Sequence, residues 1–182
     1  PMAFPSDNMM VQPEDDGDDR AAVMPERLKR AIVAFNTNEA PGTIVIDTAA
    51  HYLYLIEGSN RARRYAIAVG KDGLQYKGTV KVGDKQEWPR WIPTADIHRR
   101  IEGLPKLVEG GPDNPLGARA LYLHQGGKDT LFRIHGTNQP EYIGESISSG
   151  CIRMTNEDAI DLYNRVKIGT IVVVLDRKAG DS

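Results

Sequence analysis

Cys151 is the only cysteine among 182 residues, and it sits in the run Ser148-Ser149-Gly150-Cys151-Ile152-Arg153, sixteen positions after His135-Gly136-Thr137. A thiol attacks as its thiolate, and a free cysteine titrates near pH ~8.5, so a nucleophilic cysteine needs a base or a positive field beside it. His135 closes the run Leu131-Phe132-Arg133-Ile134 and is followed by glycine, which suits an imidazole projecting from a strand end. Ser149 and Gly150 offer backbone N–H groups with few steric limits, which is what an oxyanion hole requires. Arg153, two residues past the thiol, suits the bidentate grip of a substrate carboxylate. These residues point to thiol-based acyl transfer. An isolated Cys and His is ordinarily a small buried hydrophobe and a hydrogen-bonded core histidine. Here the Ser-Ser-Gly approach is turn chemistry, and an arginine two residues on is foreign to a core.

Strands must position this pair. Residues 43–48 and 51–56 are β-branched and aromatic runs flanking Ala49-Ala50, which predicts a hairpin. Further strands are expected over 63–69, 78–82, 120–124, 130–134 and 170–175, so the fold is expected to be a mainly β sandwich or barrel. Two helices are predicted. Residues 25–35 carry Pro25 in the first turn and Leu28, Ala31, Ile32 and Phe35 on one face. Residues 155–166 begin with Thr155 as cap, and Asp158 follows three residues on. The helix dipole near Thr155 would also favour a thiolate at Cys151. Residues 85–118 hold Trp88, Trp91 and a scatter of Pro and Gly that leaves little room for regular elements. So long an insertion is expected to act as a lid or groove wall.

Six of the 25 acidic residues lie in the first nineteen positions, which contain no Lys or Arg. Residues 1–24 therefore read as a disordered acidic tail or linker, 25–41 as helix and connection, 42–176 as the catalytic unit and 177–182 as a second tail. Outside the first nineteen residues the chain has a formal excess of four positive charges, enough for an anionic polymer or a carboxylate and far short of a nucleic-acid footprint. No run is long enough to be a membrane span. A chain beginning at Pro1 fits removal of a secretory leader.

His51, His98, His124 and His135 lack metal-ligand spacing, so no metal is expected. Gly110-Gly111-Pro112 lacks the lysine and helix of a phosphate loop. Trp88 and Trp91 would line a groove or simply anchor the insertion, and Arg61, Arg63 and Arg64 read as a solvated strand edge or a contact for an anionic polymer.

His135-Gly136-Thr137-Asn138, then Ile143-Gly144, then Ser148-Ser149-Gly150-Cys151-Ile152-Arg153-Met154 resembles the catalytic signature of the YkuD-like L,D-transpeptidases. Residues 42–47 look like that family's opening strand, and 114–117 with 120–123 like the stretch before its catalytic half, so the resemblance covers residues 42–175. It implies a β sandwich of mixed sheets with a helix after the cysteine and a groove at its edge. It implies Cys151 as nucleophile and His135 as base, with the Gly136 carbonyl orienting the imidazole. Backbone N–H groups at Ser149, Gly150 and Cys151 would form the oxyanion hole. Arg153 would grip substrate, with Thr137 and Asn138 beside it. Many members place a histidine directly before the Gly-Cys pair, where this chain has Ser149; that position bears on the pocket wall and on acceptor choice.

The family implies peptidoglycan stem peptides as substrate, a periplasmic or cell-envelope location, no cofactor, and acylation by carbapenems. The acceptor stays open between a second stem (a crosslink), water (carboxypeptidase action) and an amine on an envelope protein. A non-catalytic wall-binding module is the alternative of another class.

Overall fold

A computed structural model of the chain describes residues 24–71, 77–93, 95–147 and 151–175. Residues 1–23 of the expected acidic tail, the tail over 177–182 and the Ser148-Ser149-Gly150 approach lie outside the described residues.

The helix expected over residues 25–35 is not formed. A 3₁₀ turn spans Glu26–Leu28, and Ala31–Ala34 is a strand, β1. The apolar residues that share a helical face are used in two places instead. Leu28 packs with Ile143, Tyr52 and Ile147, while Phe35 stacks on Tyr54 with ring centroids 4.2 Å apart. A lone helix this short is marginal, and an open sheet edge offers unpaired backbone groups that a strand satisfies.

The hairpin is as expected: β2 is Ile44–Asp47, β3 is Tyr52–Gly58, and they pair antiparallel with Ile44 opposite Leu55. Next come β4, Arg61–Ala66, and β5, Ala68–Gly70, with only Ile67 between them. β6 is Gly78–Glu87, longer than expected at its far end. The insertion then contributes a short helix, α1 at Ala95–Arg100, and an isolated bridge between Trp91 and Val108. β7 is Arg119–Gln125 and β8 is Lys128–His135. The short β9, Ser146–Ile147, and β10, Ile152–Arg153, come before and after Cys151. Helix α2, Asn156–Arg165, and strand β11, Ile171–Val174, complete the described elements.

Hydrogen bonding runs in the order β1-β4-β3-β2-β11-β6-β7-β8-β10-β5-β9. The sheet is mixed: β10 runs parallel to β8, β11 to β2, and β9 to β5, and the other pairs are antiparallel. β4 lies second from one end of this order and β5 second from the other, yet one residue separates them in the chain. The sheet therefore rolls over on itself, and the bend at Ile67 joins its ends. The mainly β expectation holds. The enclosed core takes Ile44, Ile46, Leu53, Tyr65, Val69, Leu123, Ile134 and Ile152 from the strands and Leu162 from α2.

Helix α2 is held at both ends. The Thr155 hydroxyl accepts from the Asp158 N–H at 3.1 Å, the N-cap expected from sequence. At the other end Lys85 Nζ donates to the Val166 carbonyl at 2.8 Å and lies 4.1 Å from the Tyr163 ring centroid. Arg30, just before β1, reaches Asp158 and Asp161 of α2, each at 3.5 Å, so the N-terminal arm is strapped to this helix.

Candidate active site

Cys151 enters the site between two strands. Its carbonyl accepts from the Gly70 N–H of β5 at 2.7 Å, and three residues on, the Met154 N–H donates to the His135 carbonyl at 2.8 Å. Between them β10 pairs parallel to β8, with Ile152 opposite Ile134 and Arg153 opposite His135. Register partners share a sheet face, so Ile134 and Ile152 turn to the core while His135 and Arg153 stand together on the other face. The strand pairing thus brings together the histidine and arginine that the sequence separates by eighteen positions, immediately after the cysteine.

All three side chains are buried: Cys151 is 8% exposed, His135 5% and Arg153 9%. His135 Nδ1 lies 2.6 Å from the Gly136 carbonyl oxygen. A carbonyl only accepts, so Nδ1 carries the hydrogen and Nε2 keeps its lone pair. Burial holds the imidazole far below its ordinary value, at about 3, and the charges of Arg153 and Arg133 push the same way, while the Gly136 hydrogen bond opposes them. His135 is therefore neutral at every ordinary pH. Burial also lowers the Arg153 guanidinium from its ordinary value, with Cys151 and Tyr142 counteracting. That coupling is reciprocal: a thiolate at Cys151 is favoured by Arg153. Arg153 Nη1 also donates to Gln139 Oε1 at 3.4 Å.

The Gly136 carbonyl that orients the imidazole is itself positioned by Asn156, the first residue of α2. Asn156 Oδ1 accepts from the Ala118 N–H at 2.9 Å and from the Thr137 N–H at 3.1 Å. Gly117 and Gly136 crowd against this amide; a Cβ on either would collide with Asn156 Oδ1, and one on Gly117 also with the Thr137 nitrogen. The expected substrate residues have contacts of their own here. Thr137 is buried with its hydroxyl accepting from the Gln139 N–H at 2.9 Å, and Asn138 Nδ2 donates to the Asp113 carbonyl at 3.3 Å. Both tie the turn after β8 in place. The expected oxyanion residues Ser149 and Gly150 lie outside the described residues.

The insertion stands at the same end of the sheet, because Trp88, following β6, donates its N–H to the Ala118 carbonyl at 2.7 Å. Asn114 is fully buried, and its Nδ2 donates to the carbonyls of Pro89, Val108 and Glu109 at 2.9, 3.1 and 3.1 Å. One amide thus replaces the regular hydrogen bonding this segment lacks. Among the described residues no His, Cys, Asp and Glu group could hold a metal ion, and no helix is long and apolar enough to cross a membrane.

Sequence reasoning missed Asn156, Gly117 and Gln139. Asn156 reads as an ordinary helix-start residue, and nothing local announces that its amide reaches across to residues 118 and 137. The one usable signal was a pair of glycines, Gly117 and Gly136, whose close approach to a common partner is a tertiary fact.

The neutral buried imidazole has a consequence for stability. His135 binds a proton in the unfolded chain below about pH 6.5 but not in the folded one until about pH 3. Stability is therefore intact above pH 6.5 and falls as pH drops toward 3. Urea midpoints of the wild type and His135→Gln, followed from pH 7.5 to 4.5, should diverge, with the wild type losing more stability in acid.

The L,D-transpeptidase catalytic-domain model of the YkuD family matches residues 41–174. A probable L,D-transpeptidase of Escherichia coli strain K12, YbiS, is 39% identical over 140 residues, which are 73% of this chain and 44% of that protein. This chain thus spans under half the length of that relative. A solved structure from Brucella melitensis, titled a probable carnitine operon oxidoreductase, is 52% identical with a TM-score of 0.58, covering 85% of this chain and 97% of that one. An L,D-transpeptidase from Mycobacterium smegmatis is 19% identical with a TM-score of 0.53, covering 73% of this chain and 58% of that one, a likeness of fold.

Proposed function

Because this chain belongs to the YkuD family of L,D-transpeptidase catalytic domains, we propose that it is a cysteine acyltransferase acting on peptidoglycan stem peptides. The observation that carries the reading is the tautomer of His135. With Nδ1–H committed to the Gly136 carbonyl, the free lone pair is on Nε2, on the sheet face that also bears Arg153. An imidazole so fixed is a base for a neighbouring thiol.

The reaction has two steps. His135 Nε2 takes the proton from Cys151 as Sγ attacks the carbonyl joining the L-centre of the stem's diamino acid to a terminal D-amino acid. Backbone N–H groups beside Cys151 hold the oxyanion, and Arg153 steadies both the thiolate character of Sγ and a substrate carboxylate. The C–N bond breaks, the imidazolium returns the proton to the departing amine, and a thioester remains. An amine of a second stem then attacks the thioester, loses its proton to His135 and releases the thiol, leaving a crosslink between two diamino acids. An imidazole kept neutral by burial fits proton transfer concerted with attack, rather than an ion pair formed in advance.

The family match over residues 41–174 and the curated relatives carry this reading over the redox wording attached to the Brucella structure. The substrate places the protein in the periplasm or cell envelope. Water or an amine on an envelope protein remain the alternative acceptors. Purified stems ending in a D-amino acid, incubated with the protein and read by mass spectrometry, should yield free D-amino acid and crosslinked dimers. Tripeptides alone would mean hydrolysis. Stems left intact, together with no adduct at Cys151 after exposure to a carbapenem, would overturn the reading in favour of a wall-binding module.

A further inference from the structure

Strand β8 is broken in its middle. Its pairing with β7 skips from Tyr122–Arg133 to His124–Asp129, and within the gap Leu131 adopts φ 64°, a left-handed conformation that a leucine avoids. The same leucine is 70% exposed, so no burial of its side chain explains the strain. Strain of this kind persists only where neighbours enforce it, and it gathers at functional sites.

The enforcing neighbours are Asp129, Thr130 and Arg133. Asp129 Oδ1 accepts from the Leu131 N–H at 2.8 Å, and the Asp129 carboxylate grips Arg133 at both oxygens, at 2.6 and 2.9 Å. The Thr130 hydroxyl donates to the Leu123 carbonyl at 2.7 Å and accepts from the Phe132 N–H at 3.1 Å. The Arg133 guanidinium carbon lies over Tyr122, 4.4 Å from the ring centroid. What the bulge achieves is the direction of one carbonyl: Leu131 O receives the Cys151 S–H, with Sγ and O 3.7 Å apart.

We propose that the Asp129–Phe132 bulge is a positioning element for the nucleophile, its Leu131 carbonyl holding Cys151 as an aimed, neutral thiol until substrate arrives. A carbonyl oxygen stabilises S–H and repels S⁻, so this contact favours the protonated form. On attack the proton passes from Sγ to His135 Nε2 and the bond to Leu131 O is given up. Charged and titratable groups on the surrounding elements are Lys128, Asp129, Arg133 and His135 on β8, Arg119, Tyr122 and His124 on β7, Arg153 on β10, Tyr142 and Glu145 before β9, and Lys71 after β5. Of these, Arg153 pulls toward the thiolate, and the bulge carbonyl opposes it.

The inference rests on Cys151 being the nucleophile, and its test reads the thiol directly. The rate of alkylation of this single cysteine by iodoacetamide is followed against pH in the full chain. Asp129→Ala removes the acceptor that fixes the Leu131 N–H; its alkylation midpoint should fall by roughly 0.5–1 pH unit. Its acyl-transfer kcat should drop roughly 10- to 100-fold, because the freed thiol is mis-aimed, while KM stays near wild type. Asp129→Asn keeps an oxygen for the Leu131 N–H but removes the negative charge facing Arg133, and should restore the wild-type midpoint. Should Asp129→Ala not fold, Thr130→Val loosens the same bulge and should move the midpoint the same way.

Equal shifts in Asp129→Ala and Asp129→Asn would make the effect one of charge and overturn the proposal. Unmoved midpoints in both would overturn it as well. Turnover persisting in Cys151→Ala would instead refute the assigned nucleophile, a result the alkylation profiles do not share.

Discussion

Cys151→Ala is expected to abolish release of the terminal D-amino acid, lowering kcat by roughly 10⁴- to 10⁶-fold, as loss of a covalent nucleophile does. The protein should survive the change. Cys151 is small, its carbonyl stays bonded to Gly70, and the core around it is built from Ile134, Ile152 and their neighbours. Removing one buried sulfur costs about 1 kcal/mol. Intact folding with lost turnover therefore separates chemistry from structure. His135→Gln should lie below the wild type by roughly 10²- to 10⁴-fold, the range of a general base, and adding it to Cys151→Ala should cost little more. The two groups act as one unit, so their losses do not add. Release measured by mass spectrometry from stems of defined length decides it. Cys151→Ala activity within tenfold of wild type would refute the assignment.

Gly117→Ala is the second large effect. Here two penalties fall on one atom: Gly117 sits at φ 68°, and its added Cβ would meet Asn156 Oδ1, the Thr137 nitrogen and the Gly136 carbonyl carbon. Two of those three are backbone, which cannot swing aside. The left-handed conformation and the overpacking together should cost about 3 kcal/mol, a fall in Tm of roughly 6–12 °C. Gly103→Ala is the control. Gly103 has φ 77° but nothing within 4 Å of its would-be Cβ, so it should show the backbone cost alone, about 1 kcal/mol. Equal Tm losses at the two glycines, by calorimetry, would mean that the crowding around Asn156 has no weight. Activity should fall with Gly117→Ala even at temperatures where it is folded, because the collision displaces the Gly136 carbonyl that holds His135.

The strands and the second helix were legible because their signals are local. Val45, Leu53 and Val172 sit in short β-branched or aromatic runs, and Thr155 caps a helix by bonding three residues ahead. The first predicted helix failed for the same reason in reverse. Leu28, Ala31, Ile32 and Phe35 fit a helical face, but Ile32 is 48% exposed, and the segment is decided by the backbone groups that β4 offers it. The motif residues His135, Cys151 and Arg153 were read from the sequence; what sequence could not give is their parallel register or the depth of their burial. Leu131 was hidden most thoroughly. A leucine in a β-rich run announces an ordinary strand, and its strained φ goes with a local bond to Asp129 together with the Thr130 bond to Leu123, which forms only once β7 and β8 are paired.

The position of β11 sets a timetable. Residues 171–174 lie in the middle of the sheet, parallel to β2 on one side and antiparallel to β6 on the other. Until they arrive, no strand among the described residues pairs the β1–β4 group with the β6–β10 group, which meet through the bend at Ile67 and side-chain contacts such as His51 with Ser146 and Tyr65 with Asp161. A chain emerging from its N-terminus has made both halves, the thiol and the imidazole before it has made the piece that joins them. While it is being synthesised such a chain holds two halves not yet joined, and the sheet closes only when the central strand slots in between β2 and β6. Long-range pairing of this kind makes folding slow.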